Sequence, residues 1–154
     1  MGSATPRFAV DAMLGRLAKW LRILGLDAVY DSALRGPRLL HCAAREGRIL
    51  LTRDTSLIRR RDVPPHVFIE ADDFRSQLRQ VLTAFAIDPH AALFQRCARC
   101  NAVLQAIARA TVRERVPPYV LATQTNFLHC PVCDHVYWAA THVDRIRKEI
   151  ERLY

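Results

Sequence analysis

Four cysteines constrain this chain more than any other feature. Cys97, Cys100, Cys130 and Cys133 form two Cys-x-x-Cys pairs with twenty-nine residues between them. No charged-then-apolar leader opens the chain, so thiols paired in this way read as one metal site before they read as disulfides. Four thiolates close a tetrahedral shell and leave no position for substrate, which describes a structural zinc. The competing reading is a redox Cys-x-x-Cys pair, and two pairs in one short stretch favour a shared ion. The segment around them carries Pro117-Pro118 and short mixed runs such as Val103-Leu104 and Val136-Tyr137-Trp138. That is what a small ribbon needs when a metal replaces a large core. Residues 95–154 are therefore expected to be a zinc ribbon closed by a short basic helix over about 142–153. The fifth cysteine, Cys42, lies in an apolar helical stretch and reads as core packing.

The first ninety residues have a different character. Phe8-Ala9-Val10, Ala28-Val29-Tyr30, Ile49-Leu50-Leu51-Thr52 and Val67-Phe68-Ile69 are short apolar runs of strand type. Between them lie helical patterns. Met13, Leu14, Leu17, Leu21 and Leu24 predict a helix over 12–24 that stops at Gly25, and Leu39, Leu40, Ala43 and Ala44 predict one ending at Gly47. Phe74, Leu78, Val81, Leu82 and Phe85 predict a third over about 74–86, capped by Asp72 or Asp73. Strands that are apolar throughout are buried on both sides. Alternation with helices then implies an α/β fold, a parallel sheet flanked by helices on both faces.

The balance of charge bears on partners. Twenty-three basic residues face fifteen acidic ones, a net charge of +8, and all but two of the basic residues are Arg. Residues 1–90 and 91–154 each carry +4, so neither is a detached basic tail. The planar fork of Arg grips phosphate bidentately, which fits a polyanion partner such as RNA; a preference for Arg codons explains the same count. No apolar run is long enough to cross a bilayer, and the chain is expected to be cytoplasmic, with no membrane partner. Oligomeric state is not legible.

In an open parallel sheet, ligands bind beyond the carboxyl ends of the strands. Asp11 follows the first strand there and Asp54 follows the Ile49–Thr52 strand. If those strands are neighbours, the two carboxylates converge, and a hard divalent cation, Mg²⁺ or Mn²⁺, relieves their repulsion. Helix N-capping, a common role for Asp, accounts for the same positions. Arg16, Lys19 and Arg22 follow Asp11, while Arg53 and Arg59-Arg60-Arg61 flank Asp54. They suit phosphate contacts and equally a solvated surface.

The chain resembles the Mut-seven C-terminal ribonuclease domain family, a branch of the PIN-like nucleases. The resemblance rests on Val10 to Arg22, on Glu46 to Asp54, on Gln77-Leu78-Arg79, on Arg96-Cys97-Ala98-Arg99-Cys100-Asn101, and on Cys130-Pro131-Val132-Cys133 with Val136-Tyr137-Trp138 and Thr141-His142. It runs from about residue 7 to 150. It implies a PIN-like nuclease domain over 7–90, a C-terminal zinc ribbon over 95–154, and metal-dependent RNA cleavage by clustered acids. The family usually has an acid ahead of the helix containing Leu39-Leu40, where this chain reads Arg35-Gly36-Pro37-Arg38. Asp31 is the substitute ligand of first resort, and Asp72 or Asp73 a weaker one. The expectation is a ribonuclease with Asp11, Asp54 and Asp31 at a Mg²⁺ or Mn²⁺ site, with Arg16, Lys19 and Arg53 on phosphates. The alternatives are a non-catalytic RNA-binding protein on the same fold and a zinc-ribbon adaptor for a protein partner. His129, His135 and His142 are candidates to replace a cysteine or touch RNA, though an ordinary surface role accounts for each. Asn101 has no role derivable from sequence. Tyr137 and Trp138 either stack on a base or pack around the metal.

Overall fold

A computed structural model describes residues 4–138 and 141–154, except the side chains of 141 and 142, so His142 falls outside the described side chains. Strands β1 (Phe8–Val10), β2 (Ala28–Val29), β3 (Ile49–Thr52) and β4 (His66–Phe68) form one parallel sheet in the order β2-β1-β3-β4. The helices between them are α1 (Gly15–Ile23), α2 (Pro37–Glu46) and α3 (Thr55–Ile58), and α4 (Phe74–Ala84) follows β4.

The two-residue period of a strand decides which helix covers which face. Phe8, Val10 and Leu51 point to one side and join Leu17 and Leu21 of α1 and Leu78 and Leu82 of α4. Ala9 and Leu50 point to the other side and join Leu39, Leu40 and Ala43 of α2 and Leu57 of α3. Both faces are thus covered, and this is why the strands are apolar throughout. Helix α2 starts on Pro37, whose fixed φ suits the first turn, and ends on Gly47 at φ +64°. The helix expected from residue 12 opens instead with a 3₁₀ turn, Ala12–Leu14, capped by the Asp11 side chain. Asp73, one of the two acids expected to cap α4, does so through Ser76 N–H. Cys42 is half-buried on α2, its Sγ 2.8 Å from Glu46 Oε2.

Residues 105–138 build a second, antiparallel sheet, β5 (Gln105–Ile107), β6 (Phe127–His129) and β7 (Val136–Trp138), in that order. A 3₁₀ turn, Arg109–Val112, and helix α5 (Pro118–Thr123) join β5 to β6. Val112, Val116, Val120, Phe127 and Val136 form its small core. The last helix, α6 (Thr141–Glu151), leaves the ribbon and returns to the first sheet, where Ile150 and Leu153 join the cluster of Phe8 and Leu17. Arg75 of α4 pairs with Glu149 at 2.9 Å.

Two polar devices join the ribbon to the sheet. Arg22, buried at the end of α1, donates to Ala28 O, Ala98 O and Arg99 O. Asn101 accepts the Ala28 N–H through Oδ1 and donates Nδ2–H to Asp27. Its φ of +74° is a left-handed conformation that Asn tolerates. Asp27 also pairs with Arg48 at 2.7 Å and Arg7 at 3.3 Å. Burial pushes the Asp27 pKa up, but hydrogen bonds from Arg48 and Asn101 and the charges of Arg48 and Arg96 outweigh it and hold it at about 2.

A depressed carboxylate pKa means that the fold favours the ionised form. The stabilisation, about 2 kcal/mol, is complete above the ordinary value of 3.8 and is lost as pH falls toward about 2. Urea unfolding as a function of pH should show that loss in wild-type protein, and Asp27→Asn should remove most of the dependence in this window.

Candidate active site and metal centre

Strand order positions the first site. The chain leaves β1 for β2 on one side, and β3 leads to β4 on the other, so connections part in opposite directions between β1 and β3. The crevice at such a switch point is where open α/β sheets bind ligands. Asp11 stands directly after β1 and Asp54 two residues after β3, and the paired register Val10↔Leu51 sets them at the same rim.

Asp11 is 3% exposed. Its Oδ1 accepts the Ala12 N–H at 2.8 Å and its Oδ2 accepts the Thr52 hydroxyl at 2.7 Å. Thr52 Oγ1 in turn accepts the Asp54 N–H at 2.9 Å, so one buried hydroxyl links both acids. Asp54 caps α3, its Oδ1 accepting from Ser56 N–H and Ser56 Oγ–H. The Ser56 side chain, then its backbone N–H, holds the Asp54 carboxyl below the ordinary carboxylate range. Both aspartates are therefore N-caps, the structural role that their positions also allowed. Among the described residues neither meets a cation within ion-pair distance.

The other sequence candidates lie as follows. Asp31 is exposed two residues beyond β2 and accepts the Ala33 N–H. Asp72, after β4, is 92% exposed and takes the Arg53 guanidinium at 2.6 Å. Arg53 also donates to Ile69 O and Glu70 O, so its fork ties the ends of β3 and β4 together. Arg16 and Lys19 are exposed on α1, and the Arg16 guanidinium lies 3.8 Å over the Phe74 ring. Thr52 was not anticipated; a hydroxyl at the end of a buried apolar strand was the available signal.

The second site is the cysteine cluster. Among the described residues it is the one group of three or more His, Cys, Asp or Glu side chains whose donor atoms converge, all within 4.8 Å. Asp11, Asp31 and Asp54 do not form another. Each cysteine pair sits in the same backbone knuckle. Cys97 N–H donates to Ala102 O and Asn101 N–H to Cys97 O; Cys130 N–H donates to His135 O and Asp134 N–H to Cys130 O. Asn101 and Asp134 occupy the matching left-handed positions. The Sγ atoms of Cys100 and Cys130 are 3.2 Å apart and those of Cys97 and Cys133 are 3.6 Å apart. A disulfide is far shorter, whereas a tetrahedron of sulfurs around one ion has edges of about 3.8 Å.

Burial, then the hydrogen bond to Cys130, pushes the Cys100 thiol up to about 12. Cys130 is pushed up by burial too, but the Cys133 N–H and Cys100 outweigh it and hold it at about 6. The pair shares a proton that a metal ion would displace. Tyr137 places its hydroxyl 3.0 Å from Cys97 Sγ, and burial and that sulfur both raise its pKa, so it stays protonated as a donor to the thiolate. His135 packs edge-on against Tyr137 with ring centroids 4.6 Å apart, and neither it nor His129 belongs to the ligand group. Among the described residues no helix is long and apolar enough to cross a membrane.

Residues 6–150 match the family described as Mut7-C RNAse domain. No curated protein matches the chain, and no solved structure does.

Proposed function

The chain belongs to the Mut7-C RNAse domain family, and on that premise we propose that it is a PIN-like, metal-dependent ribonuclease whose site is the rim between β1 and β3. One observation carries the reading: Asp11 is almost fully buried, ionisable and without a cationic partner among the described residues, beside a second strand-end aspartate. Burying a carboxylate unpaired is costly, and a bound cation removes that cost. Carboxylate oxygens suit Mg²⁺ or Mn²⁺, and Mg²⁺ is commonly held by one or two carboxylates together with water and substrate phosphate.

In this proposal Asp11 and Asp54 hold the ion, and Asp31 ranks behind them as a third ligand because it is exposed and tied to Ala33. When bound, the ion polarises the phosphodiester and lowers the pKa of its water. Thr52 and the Ala12 N–H fix the Asp11 carboxylate in place, and the Ser56 bonds do the same for Asp54. Arg16 and Lys19 receive neighbouring phosphates. Arg53 joins them by exchanging Asp72, one anion for another. The thiolate set selects Zn²⁺ as the structural ion, and residues 95–154 serve as a ribbon beside a nuclease domain over 7–90.

A second reading, a non-catalytic RNA-binding protein, is favoured by one feature. Arg35-Gly36-Pro37-Arg38 stands where the family usually has an acid, and among the described residues the rim has no convergent group of three carboxylates. Incubation of the full chain with single-stranded and structured RNA separates the two. Cleavage that requires Mg²⁺ or Mn²⁺ supports the enzyme, while binding without cleavage under any divalent ion replaces it with the binder. Under both readings, affinity should fall with salt at a slope of about −0.7 per phosphate contact. Lys19→Ala should weaken binding equally across sequences. Affinity independent of salt would reduce the +8 charge to a matter of composition.

A further inference from the structure

A cleft of about 490 Å³ opens where α1, the ribbon and α6 meet, within the size range of small-ligand sites. Its walls are largely apolar, with Ile23 from α1, Leu128 and Tyr137 from the ribbon, and Ile146 from α6. Among the described residues no acidic side chain lines it, Lys19 stands at its α1 side, and Asn126 and His135 contribute polar edges. Phe94 completes a wall from an unusual backbone position, φ +64°, which a bulky side chain seldom adopts. That conformation is held by the Phe94 N–H bond to Ile23 O and by Ala92 seated on Gly25, where any Cβ would lie 2.0 Å from Ala92 O. Strain held in place by its surroundings is found at binding and catalytic sites.

We infer that this cleft takes one unpaired nucleobase of a single-stranded RNA whose backbone follows α1 from the Asp11 rim. The inference rests on the RNA reading above and deepens it. Single-stranded RNA is recognised by splayed bases that lie on aromatic side chains and meet polar groups at their edges, and the cleft offers both. The path to it is cationic. Arg16 and Lys19 are exposed on α1 between Asp11 and Ile23, and Lys19 forms no ion pair among the described residues. Lys19 follows Asp11 by eight residues, through the 3₁₀ turn and the first turn of α1, so the cleft selects a nucleotide removed from the one at the rim. The charge on that path, with the absence of acid from the walls, favours a nucleic-acid occupant over an apolar peptide.

The test is an abasic scan. A short single-stranded RNA and its analogues, each lacking one base but keeping every phosphate, are titrated against the zinc-loaded full chain. Wild-type protein should show one position at which loss of the base weakens binding roughly tenfold. Val143→Trp and Leu104→Trp, at two residues that line the cleft, fill it without changing charge. Each should erase that position while keeping zinc content, melting temperature and salt slope. A flat scan with salt-dependent binding overturns the cleft and leaves the RNA reading standing. No RNA binding even at low salt overturns both. An apolar peptide that binds wild-type protein, is blocked by Val143→Trp and does not compete with RNA assigns the cleft to a protein partner.

Discussion

Asp11→Asn is expected to reduce RNA cleavage roughly a thousandfold or more while leaving RNA affinity in the absence of divalent ion close to that of the parent. The substitution keeps the oxygen that caps the Ala12–Leu14 turn and removes the charge that would hold the proposed ion. Metal-free melting temperature should hold or rise slightly, because the lost Thr52 bond is offset by removal of a buried charge that has no cationic partner among the described residues. Asp54→Asn should do the same, and the double variant should be little worse than either, because in the proposed site both residues hold one ion. Thr52→Val discriminates further. It leaves both carboxylates in place but removes the hydroxyl that bonds Asp11 and accepts the Asp54 N–H. Loss of such an orienting group costs about ten- to a hundredfold in metal affinity or activity, and Thr52→Ser should restore most of it. Asp31→Asn should be milder than Asp11→Asn; an equally deep loss would give the site a full third ligand. Undiminished cleavage by Asp11→Asn would remove the rim from the mechanism.

Cys97→Ser, or chelation of the wild-type protein, is expected to release about one equivalent of zinc and unfold the ribbon. A structural zinc contributes on the order of 10 kcal/mol to a domain of this kind. The consequence does not stop at the ribbon. Arg22 donates to the carbonyls of Ala98 and Arg99 inside the first knuckle, and Asn101, just after it, holds the edge of β2. Helix α6 comes after the ribbon in the chain and before the end of the main core. The α/β sheet should therefore keep a cooperative transition but melt about 5–10 °C lower. Hydrogen exchange should quicken at β2 and α6 and stay slow at β1 and β3. A zinc content unchanged in Cys97→Ser, or a disulfide within either pair in freshly purified protein, would refute the four-cysteine centre.

Much of the architecture was legible because it depends on neighbours in sequence. Runs such as Phe8-Ala9-Val10 and Ile49 to Thr52 are apolar on both faces, so they had to be buried strands, and Leu17 and Leu21 carry the helical period between them. The cysteine spacing likewise announced a shared ion, and the four sulfurs do converge. The positions of Asp11 and Asp54 at strand ends were legible too, but not whether those strands are adjacent. Adjacency depends on the order β2-β1-β3-β4, which follows from how helices on two faces share one sheet.

The tertiary structure alone decided the polar partners. Thr52 reaches Asp11 across 41 residues, Asn101 reaches Asp27 across 74, and Arg22 reaches Arg99 across 77. Arg53 precedes Asp54 in sequence yet bonds Asp72. Helix α6 follows the ribbon yet packs with Phe8. Backbone periodicity is set by sterics and hydrogen bonds within a few residues, and a single chain displays it directly. A buried polar side chain must find its partner wherever the closed chain brings one, and in this protein that place is set by the packing of two sheets and a returning helix.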